Sequence, residues 1–272
     1  MIPTAHVIAG SEATGGAGIQ VDLKTFHQRG VYGMGTLTCI VSFDPKQGFN
    51  HRFVPVDPQV IADQIEAAQG AFPKVDTLKI GMLGTPETID VVASALAAHR
   101  YRSIVVDPVL VCKTDEASPA QMTDRALREK IVPQATIVTP NLFEAGVLAG
   151  GQTIESVADL ADAARQIATL GPQYVLAKGG VELPGDEAVD VLWDGNDIHV
   201  LSVPKVGQER IHGAGCTLAA AIAAEVAKGT DVLSAAEIAK NLVTAGIHNR
   251  LHSAAPFATV WQKAYESSPH HS

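Results

Sequence analysis

A turn of small residues leading into an alanine-rich segment is the feature of this sequence best suited to chemistry. The turn is Gly213-Ala214-Gly215-Cys216-Thr217, and the next seven residues are all apolar. If a helix begins here, the backbone N–H groups of Ala214, Gly215 and Cys216 point out of its start and can bind an anion such as a phosphate. The simpler alternative is a glycine-led buried helix in which Cys216 is a small core residue.

The thiol of Cys216 would lie in the first turn of that helix. The helix dipole favours a thiolate at this position, so we expect the pKa of the thiol to be lowered. A cysteine beside an anion-binding turn suits a general base or a nucleophile.

A second glycine-rich loop, Gly10-Ser11-Glu12-Ala13-Thr14-Gly15-Gly16-Ala17-Gly18, follows the first strand-like run. It lacks the Gly-Lys-Ser/Thr of a P-loop and the glycine spacing of a dinucleotide fingerprint. A nicotinamide-dependent oxidoreductase is therefore disfavoured. The loop either contacts a small molecule through its backbone and the Ser11 hydroxyl, or is an ordinary tight turn.

Polar side chains follow three further strand-like runs. Asp107 follows Ile104-Val105-Val106, Asn141 and Glu144 follow Ile137-Val138-Thr139-Pro140, and Lys178 ends Val175-Leu176-Ala177. Singly, these residues suit turns, helix caps or solvated surfaces. If the strands are neighbours, the four side chains meet at one sheet edge, where such a set suits Mg²⁺ bound together with phosphate.

Short apolar runs alternate with segments of helical period along the whole chain. The runs read as strands lie at residues 6–9, 36–41, 77–81, 103–107, 136–139, 174–178, 189–193 and 199–203. Such alternation predicts an open, mostly parallel sheet between two helical layers. Residues 42–57 lack helical period and predict a small flap or an edge strand, and Ser234-Ala-Ala-Glu237 reads as a capping box. We see no linker, so residues 1–272 are predicted to form one domain.

Composition excludes several classes of protein. The chain has 272 residues, 46% hydrophobic and 18% charged, which indicates a soluble globular protein. A net charge of −9 argues against nucleic-acid or membrane binding. The three cysteines, Cys39, Cys112 and Cys216, are too scattered for a disulfide framework, and Cys39 reads as a core residue. With no signal-peptide pattern at the N-terminus, we expect a cytoplasmic protein.

Six blocks, in order, resemble the ribokinase-like vitamin kinases, whose fold is a three-layer α/β/α sandwich. They are Ala9-Gly10-Ser11 to Phe26, Lys79-Ile-Gly-Met82-Leu-Gly84, Asp107-Pro-Val109, Thr139-Pro-Asn141-Leu-Phe-Glu144-Ala145, Lys178-Gly-Gly180 and His212 to Thr217. The most similar branch contains hydroxymethylpyrimidine (phosphate) kinases and the pyridoxal kinases that resemble them. The match runs from about Ala5 to Asn249.

The resemblance implies ATP-dependent phosphorylation of a hydroxymethyl group on a pyridine or pyrimidine ring. It implies that residues 213–216 hold the transferring phosphoryl group, that Cys216 is the base, and that His212 supports it. The remaining implied roles are Mg²⁺ binding for Asp107 and Glu144, ATP binding for Asn141, Lys178, Gly180 and Gly215, and vitamin-ring contacts for Gly10, Ser11, Ala17, Phe43, Met82 and Val109. A monovalent-cation requirement is left open, and a homodimer is expected from the family alone.

Two positions bear on which vitamin is the substrate. Phe43 stands where hydroxymethylpyrimidine kinases usually have a glutamine that pairs with polar edges of the aminopyrimidine, and phenylalanine cannot make those bonds. Cys112 stands where that branch usually has alanine. Together with Cys216 it resembles the dual-cysteine pyridoxal kinases, in which the first cysteine adds to the pyridoxal aldehyde as a hemithioacetal. The polar residues 113–118 would form a lid.

We therefore expect a pyridoxal kinase that uses ATP and Mg²⁺ on pyridoxal. Two alternatives remain: a hydroxymethylpyrimidine (phosphate) kinase, and a non-catalytic pyridoxal-phosphate binding protein on the same fold. The chain departs from the family at its C-terminal end, where His252-Ser-Ala-Ala-Pro256-Phe257 keeps only the proline of a glycine–proline segment. The resemblance therefore does not extend to adenine contacts at this end.

Overall fold

The computed structural model describes residues 2–110 and 119–263. The strands are Thr4–Glu12 (β1), Tyr32–Asp44 (β2), Asn50–Pro55 (β3), Thr77–Ile80 (β4), Ser103–Val106 (β5), Ile137–Val138 (β6), Tyr174–Lys178 (β7), Glu187–Trp193 (β8) and Ile198–Pro204 (β9). The helices are Gly18–Gln28 (α1), Pro58–Ala71 (α2), Pro86–Ala98 (α3), Pro119–Ala126 (α4), Leu142–Leu148 (α5), Val157–Ala168 (α6), Ala214–Ala227 (α7) and Val232–His248 (α8). None of these helices combines the length and apolar character needed to cross a bilayer.

The strands form one sheet in the order β3-β2-β1-β4-β5-β6-β7-β8-β9. Pairing is parallel from β2 through β7 and antiparallel at both edges, where β3 pairs with β2, and β8 and β9 follow β7. The carboxyl ends of the parallel strands therefore meet at one edge of the sheet, which is where α/β folds of this kind place ligands.

The sheet separates two apolar layers, as its alternation of side chains requires. Along β1, Val7 packs into the layer that contains α1, α7 and α8, whereas Ile8 packs into the layer that contains α2, α3 and α6. Helix α7 is buried from Thr217 to Val226. Its alanines leave room for the helix to lie close against the sheet, so the start of α7 is held rigidly at the carboxyl ends of the strands.

The sequence predictions for the fold are largely confirmed. Residues 42–57 form the edge excursion expected of them: the end of β2, a 3₁₀ turn at Pro45–Gln47, and the antiparallel strand β3. The predicted capping box at Ser234 is wrong. Helix α8 begins at Val232, and the Asp231 carboxylate caps it by accepting a hydrogen bond from the Ser234 N–H at 2.9 Å. Ser234 therefore lies inside the helix.

A buried histidine lies at the opposite end of β1 from the site. The ring of His6 is fully buried, with Nε2 2.9 Å from Thr36 Oγ1 and Nδ1 3.2 Å from the Tyr101 hydroxyl. Burial, helped by the charge of nearby His99, lowers the pKa of His6 to about 4. The native protein therefore holds His6 neutral at pH values where the unfolded chain protonates it.

This burial predicts a loss of stability in acid. Between about pH 6.5 and 4 the unfolded chain binds a proton at His6 that the native state excludes. Stability should fall as pH drops through this window, with His6 contributing about 3 kcal/mol of the loss. Urea denaturation at several pH values, compared between wild type and His6→Gln, measures that contribution. An identical decline in both proteins would contradict it.

Candidate active site

A cavity of about 570 Å³ lies at the carboxyl edge of the parallel strands. It brings together the ends of β5 and β7, the starts of α5 and α7, and a residue of the segment that follows α8. Its lining includes Ala17, Asp107, Val109, Asn141, Glu144, Lys178, Gly180, His212, Gly213, Ala214, Gly215, Cys216 and Phe257. Most of the residues singled out from the sequence therefore meet around one space.

The turn before α7 is shaped by a contact between two glycines. Gly213 has a φ of 80°, and a Cβ there would lie 2.0 Å from the carbonyl oxygen of Gly16. The Ala214 N–H donates to the Ile211 carbonyl at 3.2 Å, so it is used inside the turn, contrary to the expectation that it faces a ligand. At this helix start, the N–H groups of Gly215 and Cys216 are therefore the ones that could bind an anion.

Cys216 lies in the first turn of α7, as expected, but its thiol is not acidified. Desolvation raises the pKa of the thiol to about 11; Lys79 opposes this shift, while Asp22 and Asp107 add to it. The prediction of a lowered pKa is wrong because it weighed only the dipole of α7. The sulfur also accepts a hydrogen bond from the backbone N–H of Gly18, the first residue of α1.

A buried ion pair lies near this thiol. Lys79 Nζ, at the end of β4, donates to Asp22 Oδ2 of α1 at 2.8 Å, and both side chains are fully buried. Desolvation raises the pKa of Asp22 to about 6, although Lys79 opposes the shift. Both residues fall in the blocks that resemble the kinase family, but sequence reasoning assigns a role to neither. The sequence feature that could identify this pair is a lysine within the apolar strand Thr77–Ile80, because a buried lysine is nearly always paired with an acid.

The charged residues predicted at the strand ends converge. Lys178 Nζ donates to Asp107 Oδ1 at 3.1 Å, and the Thr139 hydroxyl lies 3.3 Å from the same oxygen. A Cβ on Gly215 would lie 3.3 Å from Lys178 Nζ, so the lysine is adjacent to the start of α7. Burial alone would lower the pKa of Lys178, but Asp107 and Glu144 raise it above its ordinary value. The lysine is held as a cation.

Asn141 and Glu144 form a capping box at the start of α5. The Asn141 side chain accepts from the Glu144 N–H at 3.0 Å, and Glu144 Oε2 accepts from the Asn141 N–H at 2.8 Å. Burial raises the pKa of Glu144 to about 7; Lys178 opposes the shift and Asp107 adds to it. The capping bonds fix both side chains on the cavity wall.

The donor set fits a divalent cation that arrives with a phosphate-bearing ligand. In the part of the chain that the structure describes, no group of three or more His, Cys, Asp or Glu side chains could hold a metal alone. Asp107 and Glu144 provide two buried carboxylates on one cavity. Mg²⁺ is commonly bound by one or two carboxylates together with substrate phosphates and water.

His212 lies between an acid and two aromatic rings. Its Nε2 is 3.3 Å from Glu12 Oε2. Although burial raises the pKa of Glu12, hydrogen bonds from Thr14, His212 and Gly16 lower it below its usual value, so the carboxylate is charged. The His212 ring centroid is 4.6 Å from that of Phe257 and 6.2 Å from that of Phe43. His212 Nε2 is therefore in contact with the Glu12 carboxylate.

The positions expected to contact a vitamin ring divide into two groups. Ala17 and Val109 line the cavity, whereas Gly10, Ser11, Phe43 and Met82 are not among its lining residues. At Gly10 a Cβ would lie 2.5 Å from the sulfur of Cys39, which is fully buried as expected. The Ser11 hydroxyl accepts from Gln20 at 2.7 Å. Cys112 lies outside the described residues, as does the predicted lid at 113–118.

The parallel sheet, its helical layers and this site at the strand ends define a ribokinase-like small-molecule kinase. The chain belongs to the phosphomethylpyrimidine kinase family, whose model matches residues 12–260. The family resemblance and the fold predicted from the sequence are thereby confirmed.

Individual relatives include kinases named for pyridoxine and kinases named for hydroxymethylpyrimidine. A pyridoxine kinase of Bacillus subtilis is 44% identical over 243 residues, covering 89% of each chain. A hydroxymethylpyrimidine/phosphomethylpyrimidine kinase of Synechococcus elongatus is 41% identical, covering 92% of this chain and 93% of that protein.

Solved structures of pyridoxal kinases are also similar to this chain. The ADP complex of B. subtilis pyridoxal kinase superposes with a TM-score of 0.94 at 40% identity, covering 98% of this chain and all of that one. Staphylococcus aureus pyridoxal kinase in complex with AMP-PCP and pyridoxal superposes with a TM-score of 0.90 at 37% identity, covering 98% of this chain and 96% of that one.

The glycine contact at the start of α7 yields a test with a matched control. Gly213 and Gly207 have left-handed φ angles of 80° and 79°, but a Cβ on Gly207 meets nothing within 4 Å. Gly207→Ala should cost about 1 kcal/mol of stability, the conformational term alone. Gly213→Ala should cost about 3 kcal/mol or more, because backbone must move. Urea denaturation measures both, and equal losses would contradict a close Gly213–Gly16 contact.

Proposed function

We propose that the protein transfers the γ-phosphoryl group of ATP to the 5′-hydroxymethyl group of pyridoxal, forming pyridoxal 5′-phosphate. The observation that carries the proposal is the single cavity around which the Cys216 thiol, the N–H groups at the start of α7 and the Lys178–Asp107 pair all lie. A phosphoryl transfer needs these three elements: a proton acceptor, donors for the moving group, and fixed positive charge.

Cys216 is the proposed proton acceptor. As the hydroxyl oxygen bonds to phosphorus and the bond to the ADP oxygen breaks, the hydroxyl proton passes to the sulfur, which must be in the thiolate form. Lys79 and the Gly18 N–H both favour that form, whereas desolvation, Asp22 and Asp107 oppose it in the free protein. The Gly215 and Cys216 N–H groups hold the equatorial oxygens of the moving phosphoryl group, where negative charge is concentrated.

Nucleotide binding is assigned to the part of the cavity next to Gly215. Lys178, Asn141 and Gly180 line it beside Gly215, and the Lys178 ammonium would pair with ATP phosphates. Asp107 and Glu144 would hold the Mg²⁺, which neutralises phosphate charge when bound. Because Lys178 and the helix start supply local positive character, the protein can bind ATP despite its net charge of −9.

Cys112 is proposed to hold the aldehyde of pyridoxal. Its thiol adds across the C=O bond, so that sulfur bonds to the aldehyde carbon and the proton moves to oxygen, with no change of oxidation state. Pyridoxal offers that electrophile and hydroxymethylpyrimidine does not. His212 is proposed to support the Cys216 base, oriented by its contact with Glu12.

Hydroxymethylpyrimidine (phosphate) kinase is the second candidate, because relatives of that name are about as similar to this chain as several pyridoxine kinases. The aromatic character of Phe43, which packs against Phe257 with ring centroids 5.3 Å apart, favours pyridoxal. A phenylalanine leaves the polar edge of an aminopyrimidine unpaired. A non-catalytic pyridoxal-phosphate binding protein is disfavoured by the retained Asp107, Glu144, Lys178 and Cys216.

The cellular setting is proposed by analogy with the family. A cytoplasmic homodimer is the expected form, acting on pyridoxal and ATP without nucleic acid or membrane partners. By the same analogy, a monovalent cation is proposed to join Mg²⁺ at the phosphates.

Steady-state kinetics test the proposed activity directly. With ATP and Mg²⁺, pyridoxal should be the best acceptor among pyridoxal, pyridoxine and hydroxymethylpyrimidine. Coupled ADP release gives the rate, and chromatography identifies the phosphorylated product. A preference for hydroxymethylpyrimidine would favour the second candidate, and turnover of none of the three would overturn kinase activity.

The two cysteines should separate into different roles. Cys216→Ala should reduce kcat by about 10²–10⁴-fold, the usual contribution of a general base, while pyridoxal still forms its thiol adduct. Cys112→Ala should lose the adduct, seen as a change in the aldehyde absorption band. Cys39→Ala is the matched control, since that thiol is fully buried and should leave the adduct intact. An adduct that survives Cys112→Ala would contradict the assignment.

A further inference from the structure

Three rings from distant parts of the chain meet at one side of the cavity. Phe43 is the penultimate residue of β2, His212 precedes α7, and Phe257 follows α8. The Phe257 centroid lies 4.6 Å from that of His212 and 5.3 Å from that of Phe43, both within the range of favourable aromatic pairs. Phe257 and His212 line the same cavity as Cys216.

The segment that carries Phe257 is fastened to the catalytic turn. The His212 N–H donates to the Ala258 carbonyl at 2.9 Å, and the Val260 N–H donates to the His212 carbonyl at 3.1 Å. Further along the segment, the Gln262 side chain donates to the Thr217 hydroxyl in α7 at 3.2 Å. These bonds fix the position of Phe257 relative to the start of α7.

Phe257 is not what anchors the segment. Ala258, Val260 and Ile211 form a small buried cluster of their own that does not include Phe257. The Phe257 side chain is only partly buried and faces the cavity. The neighbouring residues already hold the segment in place, yet the large aromatic side chain of Phe257 is left partly exposed on the cavity. Its ring is therefore available to a ligand.

We infer that Phe257 forms the aromatic wall against which the heterocyclic ring of the substrate packs, so that the segment after α8 takes part in substrate binding. This inference rests on the proposed function and adds a binding residue to it. The wall offers a π-surface and no hydrogen-bond donor or acceptor. It therefore accommodates the apolar face of a pyridine ring, and Phe43 packs against the Phe257 ring with centroids 5.3 Å apart.

Kinetics of three variants test the inference. Phe257→Ala should raise the KM for pyridoxal about tenfold, the size of a lost aromatic contact together with its buried area, and leave the KM for ATP within twofold. Phe257→Leu, which keeps an apolar side chain, should recover part of that loss. The matched control is Trp261→Ala, which removes an exposed aromatic side chain from the same segment and should leave both KM values unchanged.

The outcomes separate this inference from the proposed function. If wild type phosphorylates pyridoxal and Phe257→Ala leaves its KM unchanged, the wall is refuted while kinase activity stands. If the KM values for pyridoxal and ATP rise together, the residue is structural and the inference also fails. If wild type phosphorylates no vitamin, calorimetric titration of pyridoxine decides: weaker binding to Phe257→Ala than to Trp261→Ala supports the wall, and equal binding refutes it.

Discussion

The arrangement of the site depends on the starts of α1 and α7 lying directly against each other. The carbonyl oxygen of Gly16 occupies the space that a side chain at Gly213 would need, and the carbonyl of Gly10 does the same at Gly18. The Gly18 N–H then reaches the sulfur of Cys216. Two helix starts can approach this closely only when the residues between them lack Cβ atoms. The glycine-rich segment that spans the end of β1 and the start of α1 is therefore part of the wall behind the thiol.

Charge in the site is balanced locally and not by the surface. Lys79 faces Asp22 near the thiol, and Lys178 faces Asp107 at the end of β7. A buried ion pair contributes little to net stability because desolvation offsets attraction, so its value lies in holding charge at a fixed place. A third buried pair, Lys240 with Asp190, also lines the cavity, and Asp190 accepts the Gly179 N–H beside Lys178. An acidic protein can in this way present cations to an anionic ligand.

Most of the fold could be predicted from the sequence, because strand and helix periodicity are local properties. Six blocks in order also pointed to the kinase family and to residues such as Asp107, Lys178 and Cys216 that meet in one cavity. The sequence could not give the acidity of the Cys216 thiol, which depends on burial and on charges from three other elements. The position of Phe257 in the cavity could not be predicted either. Its contact with His212 depends on hydrogen bonds between backbone segments more than 40 residues apart.

The high pKa of the Cys216 thiol also has a consequence for its chemical durability. Oxidants and alkylating agents react with thiolates that solvent can reach, and a thiol with a pKa of about 11 is almost wholly protonated at neutral pH. The Cys216 side chain is partly exposed on the cavity, so its protection from peroxide comes from its protonation and not from being out of reach. A cysteine in this setting therefore reacts with oxidants more slowly than an acidic thiol does.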